Sequence, residues 1–114
     1  MAILSTSQEE QFNRDGFLFL ENIIPTDKLR KMQNEFEQWK EESRNFSEPY
    51  GKTIDNRPRF DIEPGHCADK PALRRIASPI EISATYLDFM RNNLALDAVV
   101  EIFGPNLKFE NAKI

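Results

Sequence analysis

The sequence holds one cysteine, Cys67, and one histidine, His66. An intrachain disulfide is therefore excluded, a cysteine-based zinc site cannot be assembled, and a two-histidine, one-carboxylate metal site is arithmetically impossible within these residues. Long hydrophobic runs are missing as well. Phe17 to Leu20 and Leu94 to Leu96 fall far short of the ~20 residues that span a bilayer. The opening Met1-Ala2-Ile3-Leu4 lacks the basic region and long apolar stretch of a secretory signal, so a cytoplasmic location without a membrane partner is expected. Nor is there an excess of positive charge. Fifteen Lys and Arg against 19 Asp and Glu leave a net charge of -4, with no run of cations to neutralise a row of phosphates, and nucleic acid is not expected as a partner. No nucleophile triad, phosphate-cradling glycine loop, dinucleotide fingerprint or internal repeat is present.

What is there is globular in character. Apolar residues make up 39% of the chain and charged residues 30%, and the aromatics are nine Phe, two Tyr and one Trp. That composition supports one modest core rather than disorder.

Two overlapping capping boxes, Ser5 with Gln8 and Ser7 with Glu10, predict a helix over 6–15 that ends where Gly16 takes a left-handed cap. Phe17-Leu18-Phe19-Leu20 is wholly apolar and bounded by glycine, which predicts a strand over 17–20 buried on both faces. Leu29, Met32, Phe36 and Trp39 recur at steps of three and four after Pro25-Thr26-Asp27, predicting an amphipathic helix over 26–43 with this stripe facing the core. Residues 44–79 contain five of the seven prolines and two of the four glycines, and are expected to form an irregular connection anchored by Phe46, Tyr50, Phe60 and Ile62. Helical spacing returns over 82–91 and 94–103, interrupted at Asn92-Asn93 and stopped by Gly104-Pro105. Alternation in Leu107-Lys108-Phe109-Glu110 predicts a strand over 107–114. Such a strand needs partners that the upstream chain scarcely offers, so these residues read as one partial domain whose main sheet lies elsewhere.

Chemistry-bearing residues are few. His66, between Glu63 and Asp69, has the elements of a metal ligand, but in a Pro/Gly loop it reads more simply as a locally hydrogen-bonded histidine. Cys67 reads as a small half-buried side chain. Arg57, Arg59, Arg74 and Arg75 carry forks suited to a carboxylate or phosphate, although ion pairs with Asp55, Asp61 or Glu81 are the simpler expectation. Glu35, Glu37, Glu41 and Glu42 read as a solvated helix face.

Several segments, in order, resemble the start of phytanoyl-CoA dioxygenase-like proteins. They are Phe12-Asn13-Arg14-Asp15-Gly16-Phe17, which is similar to that family's F-x-x-D-G-F entry, then Arg57-Pro58-Arg59-Phe60 and Pro71 to Pro79, and finally Leu96 to Pro105 and Phe109 to Ile114. The resemblance implies an α+β chain, mostly helical, forming the N-terminal support of a double-stranded β-helix (jelly-roll, cupin-like) oxygenase. It implies Fe(II) and 2-oxoglutarate as cofactors of a longer parent enzyme acting on a small-molecule substrate. The family's H-x-D motif, distal histidine and arginine would lie beyond Ile114, leaving no catalytic or metal-binding residue among these 114. Only Lys113 falls where the family's first core strand carries a lysine near the active-site pocket, which implies a contact to 2-oxoglutarate or substrate. The competing expectation is a small helical interaction module that buries Leu29, Phe36 and Trp39 against a partner.

Overall fold

The computed structural model describes residues 2–114. In order along the chain lie α1 (Thr6–Asp15), α2 (Thr26–Ser43), β1 (Tyr50–Lys52), β2 (Pro58–Ile62), β3 (Leu73–Ile76), a 3-10 turn (Pro79–Glu81), α3 (Ala84–Arg91) and α4 (Leu94–Phe103). The fold class is α+β, with helices and an antiparallel sheet in separate stretches of chain. Among the described residues no helix is long and apolar enough to cross a membrane.

The boundaries of α1 and the starts of α3 and α4 have local causes. Ser5 and Gln8 form a reciprocal capping box, while Ser7, the alternative cap, lies inside α1. Gly16 closes α1 in the left-handed region at φ 81°, its N–H donating to the Phe12 carbonyl. Ser83 and Asn93 accept from the N–H groups of Tyr86 and Leu96 and start α3 and α4. Helix α3 therefore begins at Ala84 rather than residue 82, because Pro79 first nucleates a separate 3-10 turn.

Two expected strands do not form. Residues 17–20 belong to no regular element and carry no strand pairing. Leu18 and Leu20 turn toward Ala95, Val99 and Ile102 of α4, while Phe17 and Phe19 point outward, Phe19 being 75% exposed. A run that is apolar on both faces thus finds only one face to cover it. Over 107–114 pairing is confined to the last three residues: Ile76 exchanges backbone hydrogen bonds with Ile114, Ala77 bridges Lys113, and the Ser78 N–H donates to the Ala112 carbonyl.

The sheet lies instead within 44–79, the stretch expected to be irregular. Its order is β1-β2-β3, with Tyr50 opposite Phe60, Phe60 opposite Ile76 and Asp61 opposite Arg75, and a bulge at Asp61/Ile62. Prolines mark its turns and its first residue rather than breaking it, since Pro58 opens β2 and the others lie outside the strands. Phe60 stacks on Tyr50 at 4.7 Å, Tyr50 on Phe46 at 3.7 Å, and Trp39 of α2 meets both Phe60 and Tyr86. Burial, followed by the negative charge of Glu42, pushes the Tyr50 phenol up to about 12.

The stripe on α2 is core at one end and open at the other. Met32 is buried, Phe36 and Trp39 are half-buried, and Leu29 is exposed. Glu35 departs from the expected solvated face. It is half-buried against the start of α3, where its Oε1 accepts from Ser83 Oγ at 2.6 Å. Its position, one turn before Trp39, places it on the flank of the apolar stripe.

The buried hydrophobic residues among those described are Leu4, Met32, Phe60, Ile76 and Ala98, and of these only Ile76 is completely inaccessible. The accessible surface of 8379 Å² exceeds the about 6,500 Å² of a compact monomer of this mass. The radius of gyration of 17.2 Å likewise exceeds the about 13 Å of a compact chain of this length.

The N-terminal segment is clamped to α4. The backbone N–H groups of Ile3 and Leu4 donate to the Glu101 carboxylate, Leu4 at 2.9 Å, and hold that carboxyl below its usual range. A carboxyl depressed on folding stabilises the attachment above its unfolded pKa and loses that contribution as pH falls through the folded value. The protection factor of the Leu4 amide, its rate relative to the unfolded chain at the same pH, should therefore fall in acid before those of α4 do. Equal protection of Leu4 at neutral and acid pH would sink this assignment.

Candidate anion-binding groove

Strand alternation collects cations on the face of the sheet away from Phe60 and Ile76. Asp61 and Arg75 are directly paired, so their side chains share a face, and Ala77, two residues beyond Arg75, continues it across to Lys113. Ala77 carries only a methyl group between longer neighbours. The resulting depression, about 200 Å³, is lined by Arg57, Pro58, Arg75, Ala77, Ser78, Asn111, Ala112 and Lys113.

The cations differ in how far they are committed. Arg57 is exposed and holds Asp55 at 2.6 Å, and hydrogen bonds from the Thr53 hydroxyl first and Arg57 second keep the Asp55 carboxyl below its usual range. Arg75 is half exposed and lies 3.7 Å from Asp61, which also faces Arg74 at 3.8 Å. Those separations exceed hydrogen-bond length, so the Arg75 guanidinium keeps free N–H donors. Lys113 belongs to none of the ion pairs formed among the described residues.

Arg59 is the exception among the four arginines. Its guanidinium is buried and donates to the carbonyls of Lys52, Ala77 and Ser78 and to Glu81 Oε1 at 2.6 Å. It ties β2 to the end of β3 and fixes Ser78 in the left-handed region at φ 49°, at the rim of the groove. Periodicity alone offered no signal for this role, because the four arginines look alike until the chain folds.

His66 is fully used elsewhere. Its Nε2 is 2.9 Å from the Ser43 carbonyl and its Nδ1 accepts from the Ala72 N–H at 2.8 Å, which makes it the pin between the end of α2 and the 63–72 loop. Replacing it by Ala should cost about 1–3 kcal/mol, since both backbone partners lose their bonds, Ser43 being buried. Urea unfolding with an unchanged midpoint would refute this. Cys67, expected to be half-buried, is exposed on the same loop.

No three of His, Cys, Asp and Glu converge as a metal-holding group among the described residues. With both nitrogens of His66 engaged, the residues present do not fit an iron site. The groove presents cationic donors from Arg75 and Lys113, Arg57 on its edge being held by Asp55. Apolar grooves lie elsewhere. One of about 380 Å³ is lined by Leu29, Met32, Phe36, Tyr86 and Ile114, and one of about 520 Å³ by Met90, Leu96, Val99, Leu107 and Phe109. In comparisons with known proteins, the chain matches no family, no curated protein and no solved structure.

Proposed function

We propose that this chain is the N-terminal supporting region of a phytanoyl-CoA dioxygenase-like, Fe(II)- and 2-oxoglutarate-dependent hydroxylase built on a jelly-roll sheet. The reading rests on the ordered run of family-like segments from Phe12 to Ile114. The observation that carries it furthest is Lys113. The lysine that the resemblance ties to 2-oxoglutarate or substrate lies in a groove with Arg57 and Arg75. Surface in excess of a compact monomer supports it too, since a supporting region must keep apolar area for the body it supports. In this reading the iron ligands come from outside these residues, and the present chain supplies scaffold and one cationic contact.

The test is to read the coding frame past the Ile114 codon and assay the longest product. An H-x-D motif followed by a later histidine and arginine, with iron-dependent conversion of 2-oxoglutarate to succinate, is the expected result. A stop codon directly after Ile114 would overturn it.

A second reading, a small interaction module without catalysis, is favoured by one observation. The α2 stripe is left open between Leu29 and Ile114. Such a module should unfold cooperatively as the isolated 114-residue chain, whereas a supporting region lacking its body should melt gradually or associate.

A further inference from the structure

We infer that two copies of this chain associate through residues 107–111, pairing them as antiparallel strands about a two-fold axis. Alternation in Leu107-Lys108-Phe109-Glu110 carries the pattern of a strand, yet within the chain pairing begins only at Ala112 and the Lys113 bridge. Residues 107–111 are exposed and belong to no regular element. Among the described residues the backbone groups of 108–111 form no backbone hydrogen bond, which leaves a row of donors and acceptors open to another strand.

The side chains select a second copy as that strand. In an antiparallel register centred on Phe109, Lys108 of one copy stands opposite Glu110 of the other and Glu110 opposite Lys108, so one residue pair supplies two opposite-charge contacts. Both side chains are free for this, since neither belongs to an ion pair among the described residues. Parallel pairing in register would instead set lysine beside lysine and glutamate beside glutamate. Phe109 meets its own copy on the axis as an aromatic pair, and Leu107 shares its face by the two-residue period. That face adjoins apolar surface in the folded chain. Leu107 and Phe109, 41% and 48% exposed, line the groove of about 520 Å³ with Met90 of α3 and Leu96 and Val99 of α4. Pairing brings two such grooves together and covers these side chains with apolar surface from both copies.

The area available is sufficient. The accessible surface of 8379 Å² exceeds that of a compact monomer of this mass by more than the ~800 Å² that a standard interface takes from each partner. An isologous contact of this kind closes at two copies. This inference does not depend on the oxygenase reading. The association state of the 114-residue chain tests the pairing, and iron-dependent turnover by a longer product tests the enzyme.

The experiment is sedimentation velocity of the 114-residue chain from about 1 μM to about 200 μM, with amide exchange followed over 107–111. A reversible passage from monomer to dimer is expected across that range, with protection appearing at alternate amides of the segment as the dimer forms. Glu110→Lys should weaken the dimer on the order of tenfold, since both attractive pairs become repulsive. The double variant Lys108→Glu/Glu110→Lys should restore it, because the exchanged charges meet in the same register. Both positions are exposed, and unchanged helical circular dichroism verifies that the variants fold. A chain that stays monomeric throughout overturns the inference and leaves this edge to a strand of another protein. A dimer indifferent to Glu110→Lys overturns it too, placing the contact on the open α2 stripe, as does a weakening that the charge exchange fails to restore.

Discussion

Replacing Glu81 by Ala is expected to destabilise the chain by about 3–5 kcal/mol, the cost of leaving a buried charge without its partner. The Arg59 side chain is 7% exposed and its only carboxylate partner among the described residues is Glu81, at 2.6 Å. Three backbone carbonyls accept from the same guanidinium, so the charge cannot swing into water without abandoning Lys52, Ala77 or Ser78. Glu81 also accepts from the Ile54 N–H at 3.0 Å, so its loss frees the β1–β2 connection as well. Small domains hold only about 5–15 kcal/mol in total, and the loss is a large share of it. Urea unfolding of Glu81→Ala, compared with the double variant Arg59→Met/Glu81→Leu, measures the effect. The double variant should recover much of the stability, because removing both charges leaves nothing stranded. A Glu81→Ala midpoint equal to that of the parent would mean that water already neutralises Arg59. The groove should suffer alongside, because Ser78 at its rim is positioned by the same guanidinium.

Phe60→Ala should cost a similar amount, about 3–5 kcal/mol, by the removal of a large buried ring. Phe60 is the hinge of the packing. It pairs with Tyr50 on one side and Ile76 on the other, stacks on the Tyr50 ring and meets Trp39 from α2. Gly51, at φ 70°, lets the ring lie close, since a Cβ there would stand 3.3 Å from it. The core is small, with Leu4, Met32, Ile76 and Ala98 the other buried hydrophobic residues among those described, which leaves little to repack around the void. Thermal unfolding should broaden as well as shift, with the sheet separating from α2 and α3. A loss below about 1 kcal/mol would mean that the cavity collapses freely and the stack is not what joins the layers.

The two predictions expose different degrees of legibility. Phe60 was recognisable as an apolar anchor of the 44–79 stretch, yet nothing in its neighbours announced a strand. Tyr50–Lys52 is three residues long with a glycine at its centre, and Pro58–Ile62 begins on a proline and alternates only weakly. Short strands surrounded by prolines and charges carry too little periodicity to be seen locally. The opposite error arose at Phe17–Leu20. Its composition is that of a buried strand, but strand formation requires a neighbour for its backbone, and the side chains beside it come from helices α1 and α4 and from Ile23.

The groove stands between these cases. Lys113 was singled out through the family resemblance and Arg57 and Arg75 through their residue type, yet 56 positions separate Arg57 from Lys113. Their meeting depends on β3, which brings Arg75 and Ala77 alongside the final residues of the chain.

By itself the sequence determined the four helices, because a cap, a stop and a 3.6-residue apolar repeat act within a few residues of one another. Ser5 with Gln8, Gly16, Asn93 and Gly104 all act at that range. It also determined that no histidine pair could hold a metal here. Only the tertiary structure decided where the sheet lies, which arginine is buried and which cations face an open groove. Each of those depends on backbone and side-chain partners far away in the chain, and the free energy of a β-ladder or a buried charge comes from such partners rather than from local propensity.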